Sequence, residues 1–232
     1  MNIGSENEFS DENDRQIGEP AARKKRVLKP AALRMEKIRT MRIEKTNTSL
    51  PSALMTLVER IEEETGDKLL RRNLYFSSSV YEKMMYLLKN GCTVVCDTSM
   101  TAAVMKQLFE GMENIDQCCC IDDDDVKRLA MLWHSTRAEV ALEKGLGTPG
   151  PKLLIIGSAP KAVSKLLERN VYAPQNDIVV IAAPGGFAGV IELKEKLIES
   201  GIACVTVRGK KGGMDICRSI VKQFVLAATG NT

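Results

Sequence analysis

The sequence predicts a three-layer α/β/α fold on a five-stranded parallel sheet, and two patterns carry that expectation. Short apolar runs, too brief for helices, recur between residues 93 and 207, and each is separated from the next by a stretch long enough for a crossover helix. Glycine and proline cluster after the runs, where strands of a parallel sheet turn into helices.

Taken in order, residues 1–22 hold Glu6, Glu8, Asp11, Glu12, Asp14 and Glu19 with almost no apolar partner. They are expected to form a disordered acidic tail, because they bury too little to offset the entropy of ordering. Residues 23–232 are expected to form a single α/β domain that includes N-terminal helices. At its start the charge reverses: Arg23, Lys24, Lys25 and Arg26 lead into Lys29, Arg34, Lys37, Arg39 and Arg42, on a helix expected from about Pro30. Leu54, Leu57, Val58 and Ile61 lie at helical spacing and stop at Gly66. Val80, Met84, Tyr86 and Leu87 predict another helix, ended by Asn90-Gly91. Strands follow at 93–96, 118–121, 153–156, 178–182 and 203–207. Helices are expected over 102–110, 124–144, 161–168, 188–200 and 214–227.

Composition narrows the function classes. With 44% apolar and 27% charged residues, the 232-residue chain can bury a core. A net charge of +3 is too small for a chain-wide nucleic-acid surface, and no aromatic residue interleaves the basic run to stack on bases. Nucleic acid is therefore not the expected partner. Without an apolar run of about 18 residues or an export-type start, the chain is expected to be cytoplasmic and not in a membrane. Cys92, Cys96, Cys118, Cys119, Cys120, Cys204 and Cys217 then read as reduced thiols. The consecutive three suit alternation across a buried strand better than a metal cage, since His134 is the sole histidine and CxxC spacing is missing. No metal is expected, and His134 reads as a structural residue inside the 124–144 helix.

Ligands of open parallel sheets bind at the carboxyl ends of the strands. The loops expected there are Asp97-Thr98-Ser99-Met100, Gly157-Ser158-Ala159-Pro160, Pro184-Gly185-Gly186-Phe187-Ala188-Gly189 and Gly209-Lys210-Lys211-Gly212-Gly213. Glycine allows close backbone approach, and free amides at helix starts attract anions, so the four loops describe a wide rim for a large acid. They match neither a dinucleotide fingerprint nor a phosphate-binding loop, and the chain has no Gly-x-Ser-x-Gly elbow.

In this order, and together with Val94-Val95-Cys96 before Asp97, Thr136-Arg137, Glu192 and Lys194, the motifs resemble the precorrin-8X (cobalt-precorrin-8) methylmutase family over roughly residues 31–225. The resemblance implies a homodimeric isomerase of cobalamin biosynthesis, three-layered, that needs no cofactor and moves a methyl group from C11 to C12 of a corrinoid substrate. It implies substrate contacts from Lys37, Asp97, Thr98, Met100, Thr136, Arg137, Ser158, Ala159, Pro160, Gly185, Gly186, Phe187, Gly209, Lys210, Lys211 and Gly212. Among these, loop amides with Arg137, Lys210 and Lys211 would hold the acetate and propionate arms, and Phe187 and Met100 would touch the ring.

The chain also departs from the family pattern. Where the family carries its catalytic histidine, Arg60-Ile61-Glu62-Glu63-Glu64-Thr65-Gly66-Asp67 puts Glu63. Lys37-Ile38 replaces a Ser-Phe or Thr-Phe pair, Ser158 an asparagine and Ala138 a serine. Glu63 has two readings: a crowded carboxyl group with raised pKa that donates the proton, or part of a solvated helix end. The alternatives to an active isomerase are a catalytically degenerate homologue that binds a tetrapyrrole or other large anion without turnover, and a scaffold whose arm from Arg23 to Lys45 binds a polyanion.

Overall fold

Strands β1 (Leu74–Phe76), β2 (Cys92–Cys96), β3 (Ile115–Cys118), β4 (Lys152–Ile156), β5 (Ile178–Ala182) and β6 (Ala203–Val207) form one sheet in the order β1-β6-β5-β4-β2-β3. The computed structural model describes residues 52–172 and 177–230, all within one compact unit, Ser49–Thr232. The acidic tail, the basic arm, the helix expected from Pro30, and Lys37 lie outside the described residues.

The strands from β2 to β6 pair in parallel, and β1 is added antiparallel to β6. Every residue of β4, β5 and β6 is buried, as in strands covered on both faces. Alternation sends Cys92, Val94, Leu153, Ile155, Val179, Ile181 and Val205 to one face. There they meet α1 (Ser52–Thr65), α3 (Val80–Asn90), α4 (Ser99–Lys106) and α9 (Met214–Thr229). Val95, Leu154, Ile156, Val180, Ala182 and Cys204 face the other way, onto α6 (Arg137–Leu146), α7 (Pro160–Tyr172) and α8 (Ala188–Glu199). The expected three layers are present. A short α2 (Leu70–Asn73) leads into β1, and α5 (Asp124–Leu132) packs on α6 around Val126, Ala130, Val140 and Ala141.

Three details differ from the expectation. The sheet has six strands, not five, because the three residues of β1 gain their ladder only by lying along β6; a run that short leaves no periodic signal. The second expected strand, 118–121, lies three residues upstream as β3, an edge strand whose Asp116 and Gln117 are exposed and hide it from an apolar search. Cys118 thus ends β3, and Cys119 and Cys120 run on beyond it rather than alternating across a buried strand. The 124–144 helix is two helices. Ser135 N–H donates to Ala130 O at 3.0 Å and His134 N–H to Met131 O at 3.3 Å, closing α5 with His134 at φ +50°. Thr136 then opens α6 with a reciprocal Thr136/Glu139 cap. His134 is an exposed residue of this break and does not lie inside the expected helix.

Candidate active site

The chain runs from β2 outward to β3 and then returns to the other side of β2 as β4, so the sheet's switch point lies between β2 and β4. Asp97 fills it. Asp97 is 5% exposed, and its carboxylate accepts from Ser158 N–H and Ala159 N–H, both at 2.7 Å, and from the Thr101 hydroxyl at 2.8 Å. The amides expected to meet a ligand at the start of α7 are therefore held by a carboxylate of the chain itself, which satisfies them as an anion would. Thr98 caps α4 by accepting from Thr101 N–H at 3.2 Å, and Pro160 is the first residue of α7. Among the expected contacts from these two loops, Met100 points outward, 70% exposed.

The other half of the rim joins the loops after β5 and β6 by their backbones. Gly186 N–H donates to Lys210 O at 3.1 Å and Gly213 N–H to Ala183 O at 2.6 Å. Gly212 lies so close that a Cβ would collide with the Ala183 carbonyl and come within 2.6 Å of Gly185 N. Gly209 takes φ +76°, a conformation glycine adopts at little cost. Beneath them Lys194 of α8 is fully buried, and its ammonium donates to Lys211 O at 2.8 Å. Burial pushes that ammonium below its usual pKa, against the opposing influence of Glu195 and Cys217. Phe187, which precedes α8, is exposed, as is Lys210.

The end of α1 is brought to this second half. Asp67 pairs with the Lys211 ammonium, which holds its carboxyl below the usual range. Glu64 accepts from Arg218, Lys222 and Gln223 of α9, each at 3.1 Å. One residue is about 100° of helix, so fixing Glu64 inward leaves Glu63 exposed, lining a recess with Glu59, Glu62, Gly66, Lys68 and Arg71.

Thr136 and Arg137 reach the rim from α6. The Arg137 guanidinium lies 3.5 Å from Asp122, whose carboxylate also accepts from the Ser99 hydroxyl after β2. Ala138 is buried against the sheet, so the methyl that stands for the family's serine is part of the core. All seven cysteines are free thiols, and burial pushes Cys96, Cys204 and Cys217 up to about 12.

The expected loop residues thus follow the carboxyl ends of β2, β4, β5 and β6, whereas Glu63 lines a separate recess of α1 and α2 that contains none of them. In the sequence Lys194 stands out only as part of a family motif, with no contact assigned to it; the signal of its burial is a lysine three residues before Leu197 on the buried stripe of α8. Fold and loops define an α/β protein whose glycine-rich turns gather at the carboxyl ends of its parallel strands.

Residues 33–226 match the family described as precorrin-8X methylmutase, and the chain belongs to that family. It is 30% identical over 170 residues to the cobalt-precorrin-8 methylmutase of Salmonella typhimurium, covering 73% of this chain and 79% of that protein. To the precorrin-8X methylmutase of Pseudomonas aeruginosa it is 28% identical over 193 residues, covering 82% and 92%. Its fold is similar to a solved "precorrin-8X methylmutase related protein", with TM-score 0.70, 24% identity and coverage of 82% and 98%. The same holds for the precorrin-8x methyl mutase of Thermus thermophilus, with TM-score 0.68, 20% identity and coverage of 87% and 100%.

Proposed function

We propose that the chain is a methylmutase of cobalamin biosynthesis that moves the C11 methyl of a precorrin-8-type macrocycle to C12. The observation that carries this reading is the rim, which keeps the family's ordered loops at the carboxyl ends of adjoining strands. In the shift, the bond from C11 to the methyl carbon breaks as the bond to C12 forms within one molecule. The protein's task is to hold the ring in the reactive tautomer and to place a proton donor beside a pyrrole nitrogen.

Lys210, Arg137 and the free backbone amides of the glycine loops bind the carboxylate arms in this reading, and Met100 and Phe187 supply apolar contact. Ser158 and Ala159 contribute shape only, because their amides serve Asp97. Glu63, which the resemblance aligns with the family's histidine, is the candidate proton donor in this reading. The resemblance further supports a homodimer. The exposed Met131, Leu132 and Trp133 offer an apolar surface for it, and seven free thiols suit the reducing cytoplasm.

The test is anaerobic turnover of cobalt-precorrin-8 by the purified full chain, with Glu63→Gln beside it. Conversion that falls by about 100-fold or more in kcat for Glu63→Gln identifies the acid. Equal rates would remove Glu63 from the chemistry. Tight binding without conversion would make the chain a carrier of the macrocycle.

A further inference from the structure

Resting on the methylmutase reading, we infer that Lys194 is a positioning residue: through the Lys211 carbonyl and the Lys211–Asp67 ion pair it fixes the 209–213 loop against the end of α1 that carries Glu63. A fully buried side chain cannot itself touch a ligand at the rim, so Lys194 acts through what it holds. Its ammonium donates to Lys211 O at 2.8 Å, and the side chain of the same Lys211 reaches Asp67, one residue past Gly66. Asp67 in turn organises the start of α2, accepting from Leu69 N–H on its carboxylate at 3.0 Å and from Leu70 N–H on its carbonyl at 2.9 Å. One lysine buried under the sheet's edge is thereby linked to the helix end beside Glu63.

The loop needs such a hold. Gly209, Gly212 and Gly213 leave its backbone many alternatives in the absence of restraint, and Gly209 and Gly213 take φ +76° and +127°. The Gly186–Lys210 and Gly213–Ala183 bonds fix its two ends. Between those ends the Lys211 carbonyl is held by Lys194. Without the ammonium, the Lys211–Gly212 peptide can rotate, carrying the Lys211 side chain away from Asp67. A buried charge is retained only where a hydrogen bond offsets its desolvation, and here the acceptor is a loop carbonyl rather than a carboxylate. For packing alone, methionine would fill the same space without that cost.

The experiment compares the full-length chain with Lys194→Met and Asp67→Asn by two readouts. The first is native-state trypsin cleavage after Lys210 and Lys211, which needs no substrate. Cleavage there accelerates about tenfold in Lys194→Met and about threefold in Asp67→Asn, with cleavage at other sites unchanged. The second is turnover of cobalt-precorrin-8, in which KM rises about tenfold for Lys194→Met while kcat stays within about twofold, the mark of lost binding geometry rather than lost chemistry. Unchanged loop cleavage in a folded Lys194→Met overturns the inference, as does an unchanged KM. Should Lys194→Met not fold, unchanged cleavage and KM in Asp67→Asn overturn it equally. If the wild-type chain shows no turnover, the methylmutase reading fails, and the cleavage readout still decides whether Lys194 holds the loop.

Discussion

The two halves of the rim use the same device with opposite charge. Between β2 and β4 a buried carboxylate gathers three donors: the two amides opening α7 and the Thr101 hydroxyl. Between β5 and β6 a buried ammonium with three N–H groups meets one acceptor among the described residues, the Lys211 carbonyl. A satisfied ion fixes its loops at small net cost, whereas an under-satisfied one keeps part of its desolvation penalty. The Asp97 half is therefore the rigid reference of the site. The Lys194 half, rich in glycine and next to the Glu63 recess, is the half that yields.

Three measurements would break or sharpen that contrast. Asp97→Ala should have the largest effect, because it leaves the part-buried Ser158 and Ala159 amides without their acceptor and takes one partner from the buried Thr101 hydroxyl; urea unfolding should show a loss of about 4 kcal/mol. A loss under about 1 kcal/mol would mean that water replaces the carboxylate. Next, Gly212→Ala should cost about 3 kcal/mol, since its methyl meets the Ala183 carbonyl and the backbone of residues 184 and 185, which cannot move aside as a side chain can. An unchanged midpoint would show that the two loops are not in backbone contact.

The smallest effect belongs to Lys194→Met, within about 1.5 kcal/mol at pH 8, because the orphaned carbonyl is offset by relief of the buried charge. Its sign against pH is the sharper observation. Burial lowers the folded-state pKa of Lys194, so the unfolded chain holds the extra proton between that value and the ordinary 10.5. Wild type should gain stability relative to Lys194→Met as pH rises from 8 to 10. A difference that stays flat would mean that the ammonium is not desolvated.

The differences from the sequence expectation share a physical origin. Apolar runs such as 178–182 and 203–207 announce themselves because strands buried on both faces are uniformly apolar. Edge elements do not: β1 is three residues long, and β3 carries exposed Asp116 and Gln117. The break after α5 was legible in principle, as Thr136-x-x-Glu139 is a helix-start signature inside the expected helix. At the site, glycine and proline marked the loops, because backbone conformation is written locally.

By itself, then, the amino-acid order determined the layers, the central parallel strands, the turns that bound them and the family to which the chain belongs, since periodicity, turn chemistry and motif order are local or linear properties. Which groups face one another was decided by the tertiary structure alone. That Asp97 consumes the amides of Ser158 and Ala159, that Glu64 turns inward and leaves Glu63 outside, and that Lys194 ends beneath Lys211 depend on contacts 61, 62, 154 and 17 residues apart. Hydrogen-bond partners are chosen by proximity in the folded chain, and burial turns a common lysine or aspartate into a residue that holds a site together.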